Sequence, residues 1–377
     1  MHSQRRLIFI LFLSAIAMMT GCASNSAKYP VSGELFGQYI NTTVDSEVAF
    51  YYLEKYLSGE REESALDRKV DLLHRNKQLQ WQQRQVLQQL ARETSTDFAT
   101  LLLAHRLLSD EENRAIQQRF EHYLEAVKTS SMQKRVDEDY VIFFMPGWDY
   151  AESGFLTGSD FAKPRQLVAA MGVENRLVEI NPHGSVSENA ETLTRALAEA
   201  RLQGKKIIIT SASSSGPAVA LALSREHALH DHVAGWINVG GILRGSPFID
   251  YYHHWSRRWF LKLAMWWMGW KYENVMSMSE KISRPRFAEH RFPSHLKIIN
   301  YVGIPLSGSI SEFSTDKYPL LKEVGPNDGL TLITDAIAPN SVSVISLGND
   351  HYVAEDPQID DKAVAMVLTM FDYIEQR

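Results

Sequence analysis

The stretch at residues 206–223, KIIITSASSSGPAVALAL, carries the clearest signal for the fold of this chain. Its first part, Lys206–Ser211, is a short apolar run of the kind that is buried on both faces of a sheet. Residues 212–216 are all small, and a sequence that favours a helix follows at once. A helix that begins at Ser215 tolerates Pro217 in its first turn, because the backbone N–H that proline lacks would have no partner there. The stretch therefore predicts a buried strand, a very tight turn and a helix.

The same alternation of strand and helix extends from residue 139 to the end of the chain. Further short apolar runs predict strands at Tyr140–Met145, Arg176–Ile180, Val233–Val239, Lys297–Val302 and Val342–Leu347. Segments between or after them predict helices at Phe161–Met171, Ser187–Gln203, Gly216–Ala228, Leu330–Ala338 and Ala363–Gln376. Such alternation is typical of a doubly wound parallel sheet. We therefore predict an α/β domain over residues 136–377.

The preceding region, residues 22–135, has helical patterning and little strand signal. Residues 23–33 are small and polar, which predicts a tether. Ser109 followed by Glu112 indicates a capping box at a helix start. The other helical signals are Phe50, Leu53, Tyr56 and Leu57 on one face, segments Ala65–His74 and Trp81–Ala91, and a helix carrying Ile116, Phe120 and Leu124. We expect an α-helical module with a packing role or a docking role toward another protein.

The N-terminus has the pattern of a secretory leader. Arg5 and Arg6 precede an apolar run at residues 7–19, which is too short to span a membrane. The Met-Thr-Gly-Cys ending resembles the lipobox of bacterial lipoproteins, which implies removal of residues 1–21 and acylation of Cys22. An ordinary cleaved leader is the alternative. Cys22 is the only cysteine, so no intramolecular disulfide can form.

The lipobox resemblance also implies a location. A lipid anchor at Cys22 would hold the protein on a membrane of the bacterial cell envelope. Ala23 and Ser24 lack the aspartate of an inner-membrane retention signal. We therefore expect the outer membrane, with the protein facing the periplasm.

The composition is that of a folded globular protein. The 377 residues are 45% hydrophobic and 22% charged, which allows a sizeable core. The formal net charge is −6 and no long basic run is present, so no nucleic-acid partner is expected.

The tight turn at residues 212–216 could expose a nucleophilic serine. Read as Ala212-x-Ser214-x-Gly216, it is a variant of the Gly-x-Ser-x-Gly turn, in which small residues flank the nucleophile. This register makes Ser214 the predicted nucleophile, and we prefer it because the small-residue spacing matches better. The register Ser211-x-Ser213-x-Ser215 makes Ser213 the alternative. A serine-rich loop without catalytic meaning is the third interpretation.

Two downstream residues could complete a catalytic triad. Asp328 lies in the turn Gly325-Pro-Asn-Asp-Gly-Leu330 after the fifth strand, and His351 follows the last strand. Each alone could be an ordinary turn or surface residue. Open parallel sheets, however, place their sites at the carboxyl ends of the strands. The order Ser, Asp, His is also that of the α/β hydrolases.

Residues 139–377 thus resemble the α/β-hydrolase superfamily, on its lipase and esterase side. The first strand ends in Phe143-Phe-Met-Pro-Gly-Trp148, which is similar to the His-Gly-x turn that supplies an oxyanion-hole amide. The segment Asn238–Pro247 is similar to the Thr-Pro-His-x-Gly-Ser segment of bacterial lipases, although the Thr-Pro-His is absent. The resemblance implies oxyanion-hole amides at Trp148 and Ser215, the residue after Ser214.

The implied chemistry is ester hydrolysis through an acyl-enzyme. His351 would take the serine proton and Asp328 would orient the imidazole. No metal or cofactor is expected in this mechanism. His227, His230 and His232 could suggest zinc, but we interpret them as surface residues at a helix end.

A helical cap is predicted between the fourth and fifth strands, at residues 248–293. It holds Trp255, Trp259, Trp266, Trp267 and Trp270, interspersed with Arg257, Arg258, Lys262 and Lys271. Aromatic and basic residues together suit a membrane–water interface or a lid over an acyl-binding cleft. Packing of the aromatic residues onto the domain core is the alternative. We expect a lipid-like or acyl ester as substrate.

The sequence thus predicts a membrane-anchored serine hydrolase that cleaves carboxylic esters. Two other functions stay open. One is a non-catalytic hydrolase-fold lipoprotein that binds an envelope partner, and the other is an acyltransferase that uses the same triad.

Overall fold

The computed structural model describes residues 28–61, 65–75, 84–129, 139–201, 204–225 and 231–376. The leader, Cys22, His227 and His230 lie outside these ranges, so the interpretations of them stay predictions.

The described chain begins with a β-hairpin. Strands β1 (Tyr29–Leu35) and β2 (Gln38–Val44) pair antiparallel. Between them Phe36 and Gly37 both have positive φ, at 48° and 85°. This hairpin occupies part of the stretch that we assigned to a tether, so that prediction is wrong from Tyr29 onward.

Helices follow the hairpin, as the sequence predicted. They are α1 (Glu47–Tyr51), which continues as a π-helical turn (Tyr52–Tyr56), α2 (Ala65–Arg75), α3 (Arg84–Glu93), α4 (Thr96–Ser109) and α5 (Glu111–Lys128). The capping-box prediction is wrong by one residue. Ser109 ends α4, and the Asp110 side chain accepts the Asn113 N–H at 3.0 Å to cap α5.

These helices pack directly against the large sheet. The Gln117 side chain of α5 accepts the backbone N–H of Ile345 at 2.9 Å. Phe120 on the same helix lies 6.1 Å from the ring of Tyr301. Helix α5 therefore shares a hydrophobic cluster with the sheet, and α4 shares a second one through Leu103 and Leu108.

A parallel six-stranded sheet forms the centre of the molecule. Its strands are β3 (Tyr140–Met145), β4 (Glu174–Leu177), β5 (Lys206–Ala212), β6 (Val233–Val239), β7 (Lys297–Ile304) and β8 (Val342–Leu347), in the spatial order β4-β3-β5-β6-β7-β8. The other five strands begin where predicted, with β5 and β7 one and two residues longer at their ends, but β4 begins two residues and ends three residues earlier than predicted. Because all the strands run the same way, their carboxyl ends meet at one edge.

Helices cover both faces of the sheet, which confirms the doubly wound α/β fold. They are α6 (Tyr150–Thr157), α7 (Ala162–Ala170), α8 (Val186–Arg201), α9 (Ser215–Arg225), α14 (Tyr318–Lys322) and α15 (Ile359–Glu375), with the cap helices α10 (Pro247–His253), α11 (Arg258–Met268), α12 (Tyr272–Met276) and α13 (Glu280–Ala288) inserted between β6 and β7. Helices α8 and α9 pack on one face, whereas α5, α7 and α15 pack on the other. The helix predicted at Leu330–Ala338 is wrong, since only a short 3-10 helix forms at Ile333–Ala336.

Candidate active site

Ser213 occupies the tight turn between β5 and α9. It has a φ of 53°, a left-handed conformation that costs a residue with a side chain about 1–3 kcal/mol. Backbone hydrogen bonds hold it there. Its N–H donates to Val239 O at 3.0 Å, and its carbonyl accepts the N–H groups of Gly216 at 3.1 Å and Ile242 at 3.2 Å. Strain that the neighbouring backbone maintains in this way is typical of a functional turn.

The structure brings Ser213, and not Ser214, to His351. The Ser213 Oγ lies 2.9 Å from His351 Nε2. Ser214 is the next residue in the turn and is only 8% exposed. The preferred register, with Ser214 as nucleophile, is therefore wrong, and the alternative register matches the observed geometry.

The glycine that favoured the wrong register has a packing role. A Cβ on Gly216 would lie 2.8 Å from Gly241 Cα and 3.0 Å from Asn238 Oδ1. Position 216 therefore requires a glycine because α9 passes close to the loop after β6. The positions that flank Ser213 in the motif are Ser211 and Ser215, both fully buried. The Ser215 Oγ accepts the Ala212 N–H at 3.0 Å and lies 2.8 Å from Met145 O, so it ties the turn to β3.

Asp328 and His351 meet as the sequence predicted. The Asp328 Oδ2 lies 2.8 Å from His351 Nδ1, and the His351 N–H donates to Asp328 O at 2.7 Å. The other carboxylate oxygen, Oδ1, accepts the N–H groups of Leu330 at 2.9 Å and Thr331 at 2.8 Å. Both side chains are almost fully buried, at 4% exposure for His351 and 3% for Asp328. The carboxylate is therefore fixed in one orientation, with one oxygen reserved for the imidazole.

The residues beside His351 hold its loop in place. The carboxylate of Asp350 accepts the N–H groups of Ser311 and Tyr352, both at 2.8 Å. The Tyr352 ring lies edge-on to the imidazole at 5.4 Å. Burial, together with the charge of Asp328, raises the pKa of Tyr352, so its phenol stays neutral.

Two backbone amides are available near the Ser213 turn. In the described part of the chain, neither the Trp148 N–H nor the Ser214 N–H has a hydrogen-bond acceptor. Trp148 follows β3, whose end is tied to the turn through Ser215. The prediction of an amide at Ser215 assumed the Ser214 register; in the register that places a serine at His351, the residue that follows is Ser214.

Trp148 belongs to a cluster of aromatic rings that the sequence did not reveal. The Trp148 ring lies 5.3 Å from Trp270 of the cap and 5.4 Å from His183. His183 lies 5.2 Å from Trp270 and contacts Asp149 Oδ1 at 2.7 Å through its Nε2. These residues are far apart in the sequence and share no motif, so only the fold reveals the contact.

The other cap tryptophans face outward. Trp255 is 82% exposed, Trp266 74%, Trp259 57% and Trp267 49%. The alternative that the cap packs its aromatic residues onto the core is therefore wrong for these four. Trp270 instead contacts Trp148, and Phe287 at the end of the cap is buried in the core.

Comparison with solved structures agrees with this architecture. The crystal structure of the metagenomic carboxyl esterase MGS0156 matches 64% of this chain and 77% of its own chain, at 20% identity and a TM-score of 0.52. The fold is that of the α/β hydrolases. The Bacillus licheniformis lipase BlEst2 in its propeptide form matches this α/β-hydrolase fold over 65% of the present chain and 52% of its own, at 20% identity and a TM-score of 0.51. No protein-family model matches the chain, and no curated protein does.

Proposed function

We propose that this α/β-hydrolase-fold protein is a serine hydrolase of carboxylic esters, with Ser213 as nucleophile, His351 as base and Asp328 as the residue that orients the base. One observation carries the proposal. A continuous set of contacts runs from Asp328 Oδ2 to His351 Nδ1 at 2.8 Å and from His351 Nε2 to Ser213 Oγ at 2.9 Å. The positive φ of Ser213 adds support, because nucleophile turns of this fold are strained in the same way.

The chemistry follows from these contacts. His351 Nε2 accepts the Ser213 proton as Oγ attacks the ester carbonyl carbon. The negative charge that forms on the carbonyl oxygen is stabilised by the N–H groups of Trp148 and Ser214. The imidazolium then protonates the leaving alcohol, and water attacks the acyl-enzyme by the same route. Losing one oxyanion donor typically costs about 3–4 kcal/mol of transition-state stabilisation.

We propose an acyl or lipid-like ester as the substrate. A cavity of about 140 Å³ with a mainly apolar lining lies between the sheet and α15. The three triad residues do not line it, but its lining includes Val239, whose carbonyl accepts the Ser213 N–H, and Val353, two residues after His351. The fold neighbours named as a carboxyl esterase and a lipase also support ester cleavage.

Hydrolysis of p-nitrophenyl esters tests the activity. The parent protein should release p-nitrophenol from the butanoate ester, and Ser213→Ala should lower kcat by about 10³-fold or more. Ser214→Ala removes a hydroxyl from the same turn and is the matched control, which should keep most of the activity because only the Ser214 amide takes part. Absence of activity in the parent would favour a non-catalytic protein. Ester products formed with added alcohols would favour an acyltransferase.

Cavity filling tests the substrate class separately. Ala363 lines the cavity from α15. Ala363→Phe should lower kcat/KM for the octanoate ester while leaving the acetate ester nearly unchanged. An equal effect on both esters would contradict an acyl group in this cavity.

We also propose that the chain is a lipoprotein of the bacterial outer membrane, anchored at Cys22. The leader pattern and the lipobox resemblance at residues 19–22 support this. Radiolabelled palmitate should be incorporated into the parent chain and not into Cys22→Ser, and the labelled chain should fractionate with outer membranes. Palmitate incorporation into Cys22→Ser, or recovery of the parent protein in the soluble periplasmic fraction, would contradict the proposal.

A further inference from the structure

Helix α11 of the cap is apolar on its outer side as well as its inner side. Met265 on the inner side is 3% exposed. The outer side carries what we call the outer stripe: Trp259, Leu263, Trp266 and Trp267. These four residues recur at helical spacing, and each is between 49% and 74% exposed. A surface helix of a globular protein normally presents mostly polar residues to water, whereas the only charged residues of α11 are Arg258 and Lys262. The outer stripe is therefore expected to be covered by another apolar phase.

The length of α11 limits what that phase can be. Its 11 residues extend about 16 Å, roughly half of the hydrocarbon thickness of a bilayer. Across the described ranges, no helix is both long enough and apolar enough to cross a membrane. A helix of this length can still lie parallel to a membrane surface, with its apolar side below the headgroups.

The charge around the outer stripe indicates the kind of surface. Between Tyr251 and Tyr272 the sequence contains Arg257, Arg258, Lys262 and Lys271 and no acidic residue, although the chain as a whole carries −6. Within residues 231–376, which the structure describes, none of these four cations forms an ion pair. Arg257 lies 3.9 Å over the Tyr251 ring and Lys262 lies 4.9 Å over the Tyr272 ring, and neither contact neutralises the charge. Cations without an anionic partner beside exposed tryptophans complement anionic headgroups, and tryptophan prefers the membrane–water interface.

We propose that α11 and the preceding Trp255 form a docking surface for an anionic phospholipid bilayer. The outer stripe enters the boundary between headgroups and acyl chains, while the four cations contact the phosphates. Trp270, just beyond α11, packs against Trp148, so docking brings the candidate active site next to lipid. This docking is separate from any anchor at Cys22 and does not depend on the proposed catalysis.

Tryptophan quenching by brominated lipids tests the proposal. The full chain is reconstituted into vesicles of phosphatidylglycerol and phosphatidylcholine, with acyl chains brominated near the headgroup. The parent should show strong quenching that decreases when phosphatidylglycerol is omitted. Leu263→Asp keeps every tryptophan but places a charge in the outer stripe. It should raise the lipid concentration that gives half-maximal quenching by about tenfold. Lys262→Glu should reduce only the additional quenching that phosphatidylglycerol produces over phosphatidylcholine alone.

The matched control is Leu72→Asp, because Leu72 on α2 is an equally apolar residue that is 73% exposed. Leu72→Asp should leave the quenching unchanged, because Leu72 lies outside the outer stripe. Any lipid anchor is the same in all variants and cannot cause a difference between them. Equal quenching of parent and Leu263→Asp, or equal loss with Leu72→Asp, would overturn the proposal. A dimer that sediments in the absence of vesicles and dissociates in Leu263→Asp would also overturn it, because the surface would then bind a second copy of the chain.

Discussion

Replacement of Asp328 by asparagine should disable the candidate triad without removing a side chain. The Oδ1 atom of Asp328 accepts two backbone N–H groups, from Leu330 and Thr331. In the variant only the amide oxygen can accept these bonds, so the NH2 group must point at His351 Nδ1. The imidazole then has to accept at Nδ1 and carry its proton on Nε2, the atom that faces Ser213. A protonated Nε2 cannot act as the base.

The expected loss is about 10⁴-fold in kcat, or about 5.5 kcal/mol, as in other triads whose aspartate becomes asparagine. The assay is steady-state hydrolysis of p-nitrophenyl butanoate, with the fold checked by thermal unfolding. Asp231→Asn alters an exposed carboxylate just before β6, outside the cavity, and serves as control, with activity expected to stay near that of the parent. A loss below tenfold in well-folded Asp328→Asn would refute the proposed role of the carboxylate.

Three further predictions concern the packing, the pH response and the cap. Gly216→Ala should lower the free energy of unfolding in urea by about 1–3 kcal/mol, because its Cβ would lie 2.8 Å from Gly241 Cα; unchanged stability would contradict this. Burial, with the charge of Asp45, raises the pKa of Asp97 to about 7, above its ordinary 3.8. The folded state then binds more protons than the unfolded state between about pH 4 and pH 7, so this group lowers stability as the pH rises through that window. Asp97→Asn should flatten that part of the urea-unfolding profile, and identical slopes for the two proteins would count against it. Trp270→Ala removes the contact that supports Trp148 and should lower kcat for ester hydrolysis by about tenfold or more, while KM changes less; an effect on KM alone would indicate a substrate contact instead.

Most of the sheet could be predicted from the sequence because its strands are buried on both faces, whereas the half-buried β4 was predicted with the wrong bounds. The runs at Tyr140–Met145, Val233–Val239 and Val342–Leu347 keep their predicted bounds, since each apolar run ends where the chain leaves the core. The hairpin could not be predicted in the same way. Its strand β1 buries only Val31 and Leu35, so it has no continuous apolar run.

The local register of the turn could not be deduced from residue size alone. Ser213, Ser214 and Ser215 are identical in type. Gly216 suggested a position in the motif, although the position needs a glycine because Gly241 packs against it. The backbone distinguishes them, because the left-handed φ falls on Ser213. Asp328 and His351 were predicted correctly as partners because chain order and strand ends carry that information.

Covalent labelling followed by peptide mapping is the most direct test of the proposed nucleophile. A fluorophosphonate should form its adduct on the Ser213 oxygen in the parent, and the adduct should be absent from Ser213→Ala and strongly reduced in His351→Ala. An adduct on Ser214, or labelling that survives in Ser213→Ala, would contradict the account.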